Sequence, residues 1–582
     1  MGGMRKIRRE QRRARPAGLF SLTTWMAAFL AVLAGVPAVA QLLPAADAQQ
    51  FRRAIEAVQA QRLGSAEQLL SDLAQKYPKH PDVHEALAGV LDLLGRIEEA
   101  TRHFEIAAKG KPFSADLRMN LAINYARQNR AQEAEHEFQA VLRLRPSDAT
   151  AHFNLGTLLL RQQQFDRALP HLEQARRLQP TDFANGYQLA LCNFLLRRHD
   201  EAQRFLDQLS QRGAARPEYQ LLRGLNLKVL GHEAEAGASL ARGLAAMPAV
   251  PEALPTVAPL FFHVDLAAEV LPWIERVARQ NLESLQAITY LARAQLTAGQ
   301  LQPARATLTL ALAKWPSAEL HHLLGEVEER MGNYVSAAQH LQRAAELNPS
   351  EAYLYDLGYE FLAHWNWDAA LSVFGRAAER YPQSARIRLG AATAHYGKGY
   401  YNDALDSLLD AALLEPRNEL THRMLAAILP VSTGKAGQVL PWLRAYASAE
   451  PKKAIANYAY GVGLWQNPDR PATRAELAEA VQLLTRAAEL GPDVAEIHYH
   501  LGLLLSEQQQ WPMAVTALET AARVKPDYPE ANYRLALAYQ RLGRSEEARS
   551  TMARYARLKE EQDAKLDERT AKTATFLFAL KP

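Results

Sequence analysis

The chain of 582 residues is 48% hydrophobic and 22% charged, with 30 Gly, 30 Pro and a single Cys. This balance is typical of globular proteins and excludes a disordered, a collagen-like or a disulfide-framed chain. The length exceeds what one compact core supports, so the chain divides into several domains or forms a repeat. The net charge is +4, but residues 1–40 alone carry +6. The slightly acidic remainder lacks the basic surface that nucleic acid requires, so no nucleic-acid partner is expected.

The N-terminal segment, residues 1–40, has the pattern of an export signal. A basic run ends at Arg15, and residues 17–40 contain no ionisable side chain. The stretch closes on Ala38-Val39-Ala40, the small-residue form that a signal peptidase accepts, which predicts Gln41 as the first mature residue. The alternative is an uncleaved membrane anchor, and this segment is the only membrane contact that we expect. Either reading places the body outside the cytoplasm, in the periplasm or at the envelope.

Prolines recur along the chain in one register: most steps are nearly equal, two steps, to Pro248 and to Pro316, are twice as long, and the step from Pro451 to Pro492 is somewhat longer than the rest. This regularity predicts an internal repeat, in which each proline ends one unit. The prolines in register are Pro78, Pro112, Pro146, Pro180, Pro248, Pro316, Pro349, Pro382, Pro416, Pro451, Pro492 and Pro526.

Small and large residues keep the same register as the prolines. A Gly or Ala stands at one fixed distance before most of these prolines, as at Gly156 and Gly502, and an Ala stands midway between the two. A large apolar residue, such as Leu172 or Leu518, follows that Ala by one helical turn. Two helices that cross closely need a small side chain at the crossing and a larger one beside it. The pattern therefore predicts paired helices, and glycines such as Gly231 mark the turn between them.

This combination resembles the tetratricopeptide repeat family. Two passages carry most of its signature, namely Tyr499-His500-Leu501-Gly502 with Ala514, Leu518, Ala521 and Pro526, and Phe153-Asn154-Leu155-Gly156 with Ala168, Leu172, Ala175 and Pro180. The resemblance implies an all-α fold, a right-handed α-solenoid superhelix of about fifteen helix-turn-helix repeats between Asp47 and about Glu560.

Two segments depart from the repeat. Prolines crowd residues 249–284, which we interpret either as a joint between an N-terminal array (residues 47–248) and a C-terminal array (residues 285–560) or as a diverged repeat. Residues 561–582 begin as a charged helical pattern, expected of a capping helix. They end in an apolar tail that would dock on the last repeat or bind a partner.

The histidines do not form a recognisable metal-binding pattern. Those at the fourth position of their repeats stand where the family places a bulky packing residue, and we interpret them as structural: His84, His152, His321, His422 and His498. A zinc site needs three or four converging ligands, whereas these residues lie whole repeats apart. We therefore expect no metal and no cofactor.

The sequence also lacks familiar catalytic motifs. No Gly-rich phosphate loop, G-x-S-x-G or H-E-x-x-H occurs. Cys192 stands in an apolar helix, which predicts a buried and inert thiol. Because nearly all of the mature chain belongs to repeats, we expect no catalytic residue and predict that the protein is not an enzyme.

The resemblance implies a binding surface on the concave side of the superhelix, lined by the first helix of each repeat. Aromatic and amide side chains occupy the family's binding positions there and suit peptide or sugar contacts. The candidate residues are Phe153, Asn154, Tyr187, Tyr355, Tyr359, Tyr458, Tyr499 and Tyr533. We expect a scaffold that binds a protein or peptide partner. The alternative is an envelope or polysaccharide export factor that contacts glycan or the export machinery.

Overall fold

A computed structural model describes residues 43–579, with side chains as far as residue 567. Within this range the chain is α-helical and contains no β-strand. Thirty helices follow one another as fifteen helix-turn-helix pairs, so the predicted all-α solenoid of about fifteen repeats is confirmed. The predicted export signal, residues 1–40, lies outside the described residues.

The helices divide into two compact units, with the boundary between Gly299 and Gln300. The first unit contains fifteen helices: α1 Ala45–Gln59, α2 Leu63–Lys76, α3 Pro81–Leu93, α4 Ile97–Gly110, α5 Ala115–Arg127, α6 Ala131–Leu144, α7 Ala149–Arg161, α8 Phe165–Leu178, α9 Phe183–Leu195, α10 His199–Gln208, α11 Pro217–Val229, α12 Glu233–Ala246, α13 Leu254–His263, α14 Ala267–Gln280 and α15 Leu285–Thr297. Short helical turns at Ser210–Gly213 and Pro251–Ala253 lie between them.

The second unit continues the pattern. Its helices are α16 Leu301–Lys314, α17 Ala318–Arg330, α18 Tyr334–Leu347, α19 Glu351–Ala363, α20 Trp367–Arg380, α21 Ala385–Gly397, α22 Tyr401–Leu414, α23 Glu419–Ile428, α24 Ala436–Ala449, α25 Ala454–Trp465, α26 Arg474–Leu490, α27 Ala495–Glu507, α28 Trp511–Val524, α29 Pro529–Arg541 and α30 Ser545–Ala579. A short 3-10 turn, Leu429–Val431, follows α23.

The segments that depart from the repeat are helical in the structure. Residues 249–284 contain α13 and α14, which pack against each other in the core of the first unit. Residues 561–579 belong to α30, a single helix that begins at Ser545. The role of the first segment as a joint stays a prediction.

Polar caps fix the starts of many odd-numbered helices, which are the first helices of the pairs. The Asp148 side chain accepts a hydrogen bond from the backbone N–H of Ala151 at 2.9 Å. Ser350 accepts one from Tyr353 at 3.3 Å in the same way. Such caps satisfy N–H groups that have no partner within the helix. In these repeats, one polar residue just before the first helix therefore fixes where that helix begins.

The turn inside a pair requires a left-handed backbone. Seven glycines lie in these turns with φ between +74° and +83°. Six of them are the turn glycines that the sequence predicts, Gly95, Gly231, Gly299, Gly332, Gly399 and Gly543, and the seventh is Gly434, between α23 and α24. In other pairs a residue with a side chain takes the same conformation, for example Asn129 and Gln163. Glycine adopts this conformation without the steric cost that a Cβ atom brings.

The close helix crossings predicted from the small residues are present. A Cβ atom built on Gly156 would lie 2.7 Å from Leu172, and one on Gly502 would lie 2.6 Å from Leu518. Cβ atoms essentially never approach other atoms so closely, so a side chain at either position would require the facing leucine to shift. The alanines and leucines of the register are buried between the helices.

None of the helices in the described part of the chain combines the length and the apolar character needed to span a membrane.

Candidate functional site

The eight residues predicted to bind a partner all lie on the first helices of their pairs. Phe153 and Asn154 are on α7 and Tyr187 is on α9, in the first unit. The other five are on α19, α25, α27 and α29, in the second unit. Within each unit, several neighbouring first helices contact one another, so a surface can run from one repeat to the next.

In the first unit, packing accounts for much of the candidate set. Asn154 is buried, and its amide nitrogen lies 3.7 Å from the sulfur of Met119. Phe153 is half-buried against the core of the unit. These two residues hold α7 against its neighbours.

Tyr187 in α9 belongs to a small aromatic group. Its ring stacks on Phe183 at 6.0 Å between centroids, and its hydroxyl donates a hydrogen bond to the backbone oxygen of Glu218 at 3.4 Å. The guanidinium of Arg216 lies 4.3 Å from the centroid of the Phe183 ring. Burial raises the pKa of Tyr187, so its hydroxyl stays protonated and acts as a donor.

The second unit presents an aromatic pair on α19, of which Tyr355 is half-buried and Tyr359 is exposed. The rings of Tyr355 and Tyr359 stack at 6.3 Å, one helical turn apart. The guanidinium of Arg386 lies 4.9 Å from the centroid of the Tyr355 ring. Tyr359 is 58% exposed. We call these three residues the Tyr355–Arg386 patch.

A larger aromatic group joins α25 and α27. The hydroxyl of Tyr458 lies 3.3 Å from Nδ1 of His500, and the His500 ring meets the rings of Tyr499 and Trp465 at 5.2 Å and 6.4 Å. Tyr499 also meets Tyr528 at 5.1 Å. We call these five residues the His500 cluster. Burial lowers the pKa of His500, which keeps its ring neutral at physiological pH.

Tyr533 closes the candidate set near the C-terminus. Its ring lies 5.2 Å from that of Tyr555 on α30, and it remains partly exposed.

The structure therefore brings together Tyr355 with Tyr359, and Tyr458 with Tyr499 through His500. Sequence reasoning did not include Trp465, His500 and Tyr528 among the binding candidates. A signal existed for His500, because it occupies the sixth position of its repeat. The contact between Tyr458 and His500 joins residues 42 positions apart in the sequence. This separation exceeds one repeat because the connection between α25 and α26, residues 466–473, is longer than the turn inside other pairs.

The histidines at the fourth repeat position pack as interpreted. His84 and His152 each meet a second histidine on the paired helix, with Nδ1 to Nδ1 distances of 2.8 Å and 3.0 Å. His422 stacks on Tyr446 at 3.9 Å. Cys192 is buried, and burial raises the pKa of its thiol to about 12. A thiol with that pKa is a poor nucleophile.

Comparison with protein families identifies the repeat. Tetratricopeptide repeat models match residues 51–115, 119–183, 159–225, 318–351, 355–419, 504–543 and 529–562. Together these matches span more than half of the chain. The protein is therefore a member of the tetratricopeptide repeat family, as the sequence resemblance indicates.

Several solved structures are similar in fold. The Cut9-Hcn1 hetero-tetramer of APC/C matches with 15% identity and a TM-score of 0.33, over 87% of this chain and 98% of that one. Yeast Tom70 matches with 14% identity and a TM-score of 0.32, over 82% and 97%. YrrB, described as a TPR protein with an unusual peptide-binding site, matches with 18% identity and a TM-score of 0.28, over 31% and 92%. A comparison with curated proteins gave no match.

Proposed function

We propose that the protein is a non-enzymatic scaffold that binds a peptide or protein segment on the first-helix surface of its second unit. The Tyr355–Arg386 patch is the observation that carries this proposal. Tyrosine and arginine are the residues that contribute most to binding energy at protein interfaces. A tyrosine that is 58% exposed, stacked on a second tyrosine beside a guanidinium, offers both apolar area and hydrogen-bond donors.

The His500 cluster supports the same surface. Its rings hold α25 and α27 at a fixed spacing, since Trp465 also donates a hydrogen bond from Nε1 to a Glu507 carboxylate oxygen at 2.6 Å. Rigid aromatic side chains lose little conformational entropy when a partner binds. The cluster would therefore present a preorganised surface to a peptide.

The family assignment supports a binding role rather than catalysis. Tetratricopeptide repeats act in general as scaffolds, and the fifteen helix pairs use nearly all of the described residues.

We extend the proposal to the location of the protein. The basic run and the uncharged residues 17–40 support export across the cytoplasmic membrane, which would place the scaffold in the periplasm or at the envelope. N-terminal sequencing of protein recovered from the envelope tests this step. A chain that begins at Gln41 supports export with cleavage, and an intact N-terminus in membranes supports an anchored form. An intact chain in the cytosol contradicts both.

A binding experiment tests the scaffold itself. A displayed peptide library is selected against the mature chain, and the affinities of the selected peptides are measured by fluorescence polarisation. Tyr359→Ala should weaken binding about tenfold or more. Tyr400→Ala is the matched control, because Tyr400 is also exposed beside a cation, with Lys398 5.0 Å from its ring, but precedes the second helix α22.

Two results would contradict the proposed peptide surface. One is equal loss of affinity in the Tyr359 and Tyr400 variants. The other is a chain that selects no peptide but binds oligosaccharides through Tyr359, since aromatic faces also stack on sugars. That second result would favour the glycan or export alternative.

A further inference from the structure

Three ionisable side chains of the second unit converge where α17 approaches α19. Glu329 is the last residue but one of α17, Glu360 lies in α19, and His364 follows the end of α19. One ligand atom from each lies within 4.8 Å of the others. Nε2 of His364 is 3.5 Å from Oε2 of Glu329 and 3.4 Å from Oε1 of Glu360. Among the described residues, this is the cluster in which three such groups meet at one point.

The repeat explains how these residues meet. Glu360 and His364 are four residues apart, so the C-cap residue His364 lies about one helical turn beyond Glu360 on the same side of α19. Glu329 comes from the first helix of the preceding pair. Neither helix alone supplies more than two of the three groups, and the cluster exists only when the two repeats are stacked.

Glu360 is a buried acidic residue with an oxygen that lacks a hydrogen bond. Its side chain is 6% exposed, and its Oε1 accepts no hydrogen bond within the described part of the chain. A buried carboxylate without adequate partners costs free energy of folding. The same oxygen lies 3.4 Å from Nε2 of His364, and a Glu329 carboxylate oxygen lies within 4.8 Å of the ligand atoms of both residues. A bound cation at this point would satisfy it.

We propose that Glu329, Glu360 and His364 bind one divalent transition-metal ion, with zinc as the best fit. Zinc bonds to nitrogen at about 2.0–2.1 Å and to carboxylate oxygen at about 2.0–2.2 Å. Tetrahedral ligands at those bond lengths are separated by about 3.3–3.6 Å. The distances of 3.4 Å and 3.5 Å from Nε2 to the two oxygens fall within this interval.

The chemistry of the ligands agrees with this choice. An imidazole nitrogen favours zinc and similar transition metals over magnesium or calcium, which prefer oxygen ligands alone. Two carboxylates balance the charge of a divalent ion. Glu329 is 38% exposed, so the ion can enter from its side and keep a water molecule as the fourth ligand. The ion would link two consecutive repeats.

Without an ion, the same three groups form an ion-pair cluster. Burial lowers the pKa of His364, but the two carboxylates outweigh this effect and raise it to about 9. Such a cluster would hold a proton where the ion would bind. Direct measurement of metal binding distinguishes the two states.

A neighbouring histidine provides a matched control. His322 on α17 also contacts two carboxylates, with Nε2 2.8 Å from Asp356 and Nδ1 3.4 Å from Glu326. These carboxylates lie at opposite nitrogens of the ring, so they cannot bind one ion together with it. His322→Ala removes a histidine of similar setting without removing a proposed ligand.

The experiment uses the full chain, freed of metal with a chelator, and zinc alone as the probe. Calorimetry or competition with a chromophoric chelator should show one tight zinc ion per chain. His364→Ala and Glu360→Gln should each weaken that binding at least about tenfold, and His322→Ala should leave it unchanged. Cobalt in place of zinc should give the visible absorption of a tetrahedral site, which the two ligand variants lose.

Two results would overturn the proposal: a parent chain without tight zinc binding, or ligand variants that bind zinc as the parent does. The second would place the ion elsewhere, for example at a histidine pair. Circular dichroism confirms that each variant is folded. Should the buried Glu360 variant unfold, the more exposed Glu329→Gln carries the same test.

Discussion

Three glycines of one helix pair, α11 and α12, differ in what surrounds them. Gly224 lies at the helix crossing, where a Cβ atom would be 2.7 Å from Cγ of Leu240. Gly231 forms the turn with φ +83°. Gly237 lies in α12, with no other atom within 4 Å of a Cβ built on it. The same substitution should therefore have three different effects within one repeat.

Gly224→Ala should destabilise the first unit by about 1–3 kcal/mol, because the new methyl group overlaps Leu240. The built Cβ atom would also lie 3.0 Å from the backbone nitrogen of Leu240, so a change of side-chain rotamer alone cannot relieve the contact. Gly237→Ala is the control and should stabilise by up to about 1 kcal/mol, since alanine is the better helix former. Denaturant unfolding monitored by circular dichroism measures both. Equal effects would contradict the crossing argument.

Gly231→Ala should destabilise by about 1–2 kcal/mol although the built Cβ atom has open space around it. The cost arises in the backbone, because an L-residue resists the left-handed conformation. The same unfolding experiment measures it. A value as favourable as that of Gly237→Ala would show that the turn can relax.

At the scale of single residues, much of the structure can be predicted from the sequence. It predicted the crossing glycines and the turn glycines, since each depends on local geometry repeated at a fixed spacing. It did not predict the cluster of Glu329, Glu360 and His364, because Glu329 and Glu360 belong to different repeats and the repeat register does not show which side chains of neighbouring repeats face each other. The Glu360 to His364 spacing alone is too common on helices to indicate a site.

At the scale of helix pairs, histidines meet in three repeats with one geometry. The first helix supplies His84, His152 or His321, and the second supplies a histidine 19 residues later. The two Nδ1 atoms lie 2.8–3.0 Å apart, so one nitrogen must donate and the other accept. Protonating both rings would break this hydrogen bond and place two charges side by side.

The pair between α3 and α4 should make folding sensitive to acid. Burial, and then the neighbouring His84, lower the pKa of His103 to about 4, whereas the unfolded value is 6.5. Between these values the unfolded chain takes up a proton that the folded chain does not, so stability falls as the pH drops from 6.5 to about 4. Above pH 6.5 this contribution is complete.

His103→Gln should reduce that loss, because glutamine can hydrogen-bond to His84 and does not titrate. Melting temperatures at about pH 7.5 and about pH 5 measure the difference. His136→Gln is the control, since His136 is exposed on α6. A parent chain and a His103 variant with the same pH dependence would show that the pair carries no linkage.

The contacts of these histidines could be predicted only in part from the sequence. Their position in the first helix was interpreted correctly as structural. The histidines that they contact on the second helix were not predicted. That contact depends on how the two helices cross, which the spacing of residues along one helix does not reveal. The His500 cluster is a similar case, since the longer chain between α25 and α26 shifts the register on which the prediction relied.

At the scale of the whole molecule, each unit is a stack in which a repeat contacts its neighbours. Unfolding of such stacks is governed by local stabilities and nearest-neighbour contacts. One contact in the second unit departs from this rule. Helix α30 packs on α29 in the last pair and also contacts α18, which lies six pairs earlier. With 35 residues, α30 is about 50 Å long, which permits that reach.

A chain that ends at Gln562 should therefore lose protection in α18 while the last pair remains folded. The truncation keeps residues 545–562 of α30 and removes the rest of the helix, because we expect the removed part to make the contact with α18. Hydrogen exchange followed by mass spectrometry should show faster exchange in α18, Tyr334–Leu347, and no change in α22, Tyr401–Leu414. Equal exchange in the parent and truncated chains would mean that the contact contributes no stability. Faster exchange throughout the second unit would mean that α30 closes the whole stack, a cooperativity that nearest-neighbour contacts alone do not produce.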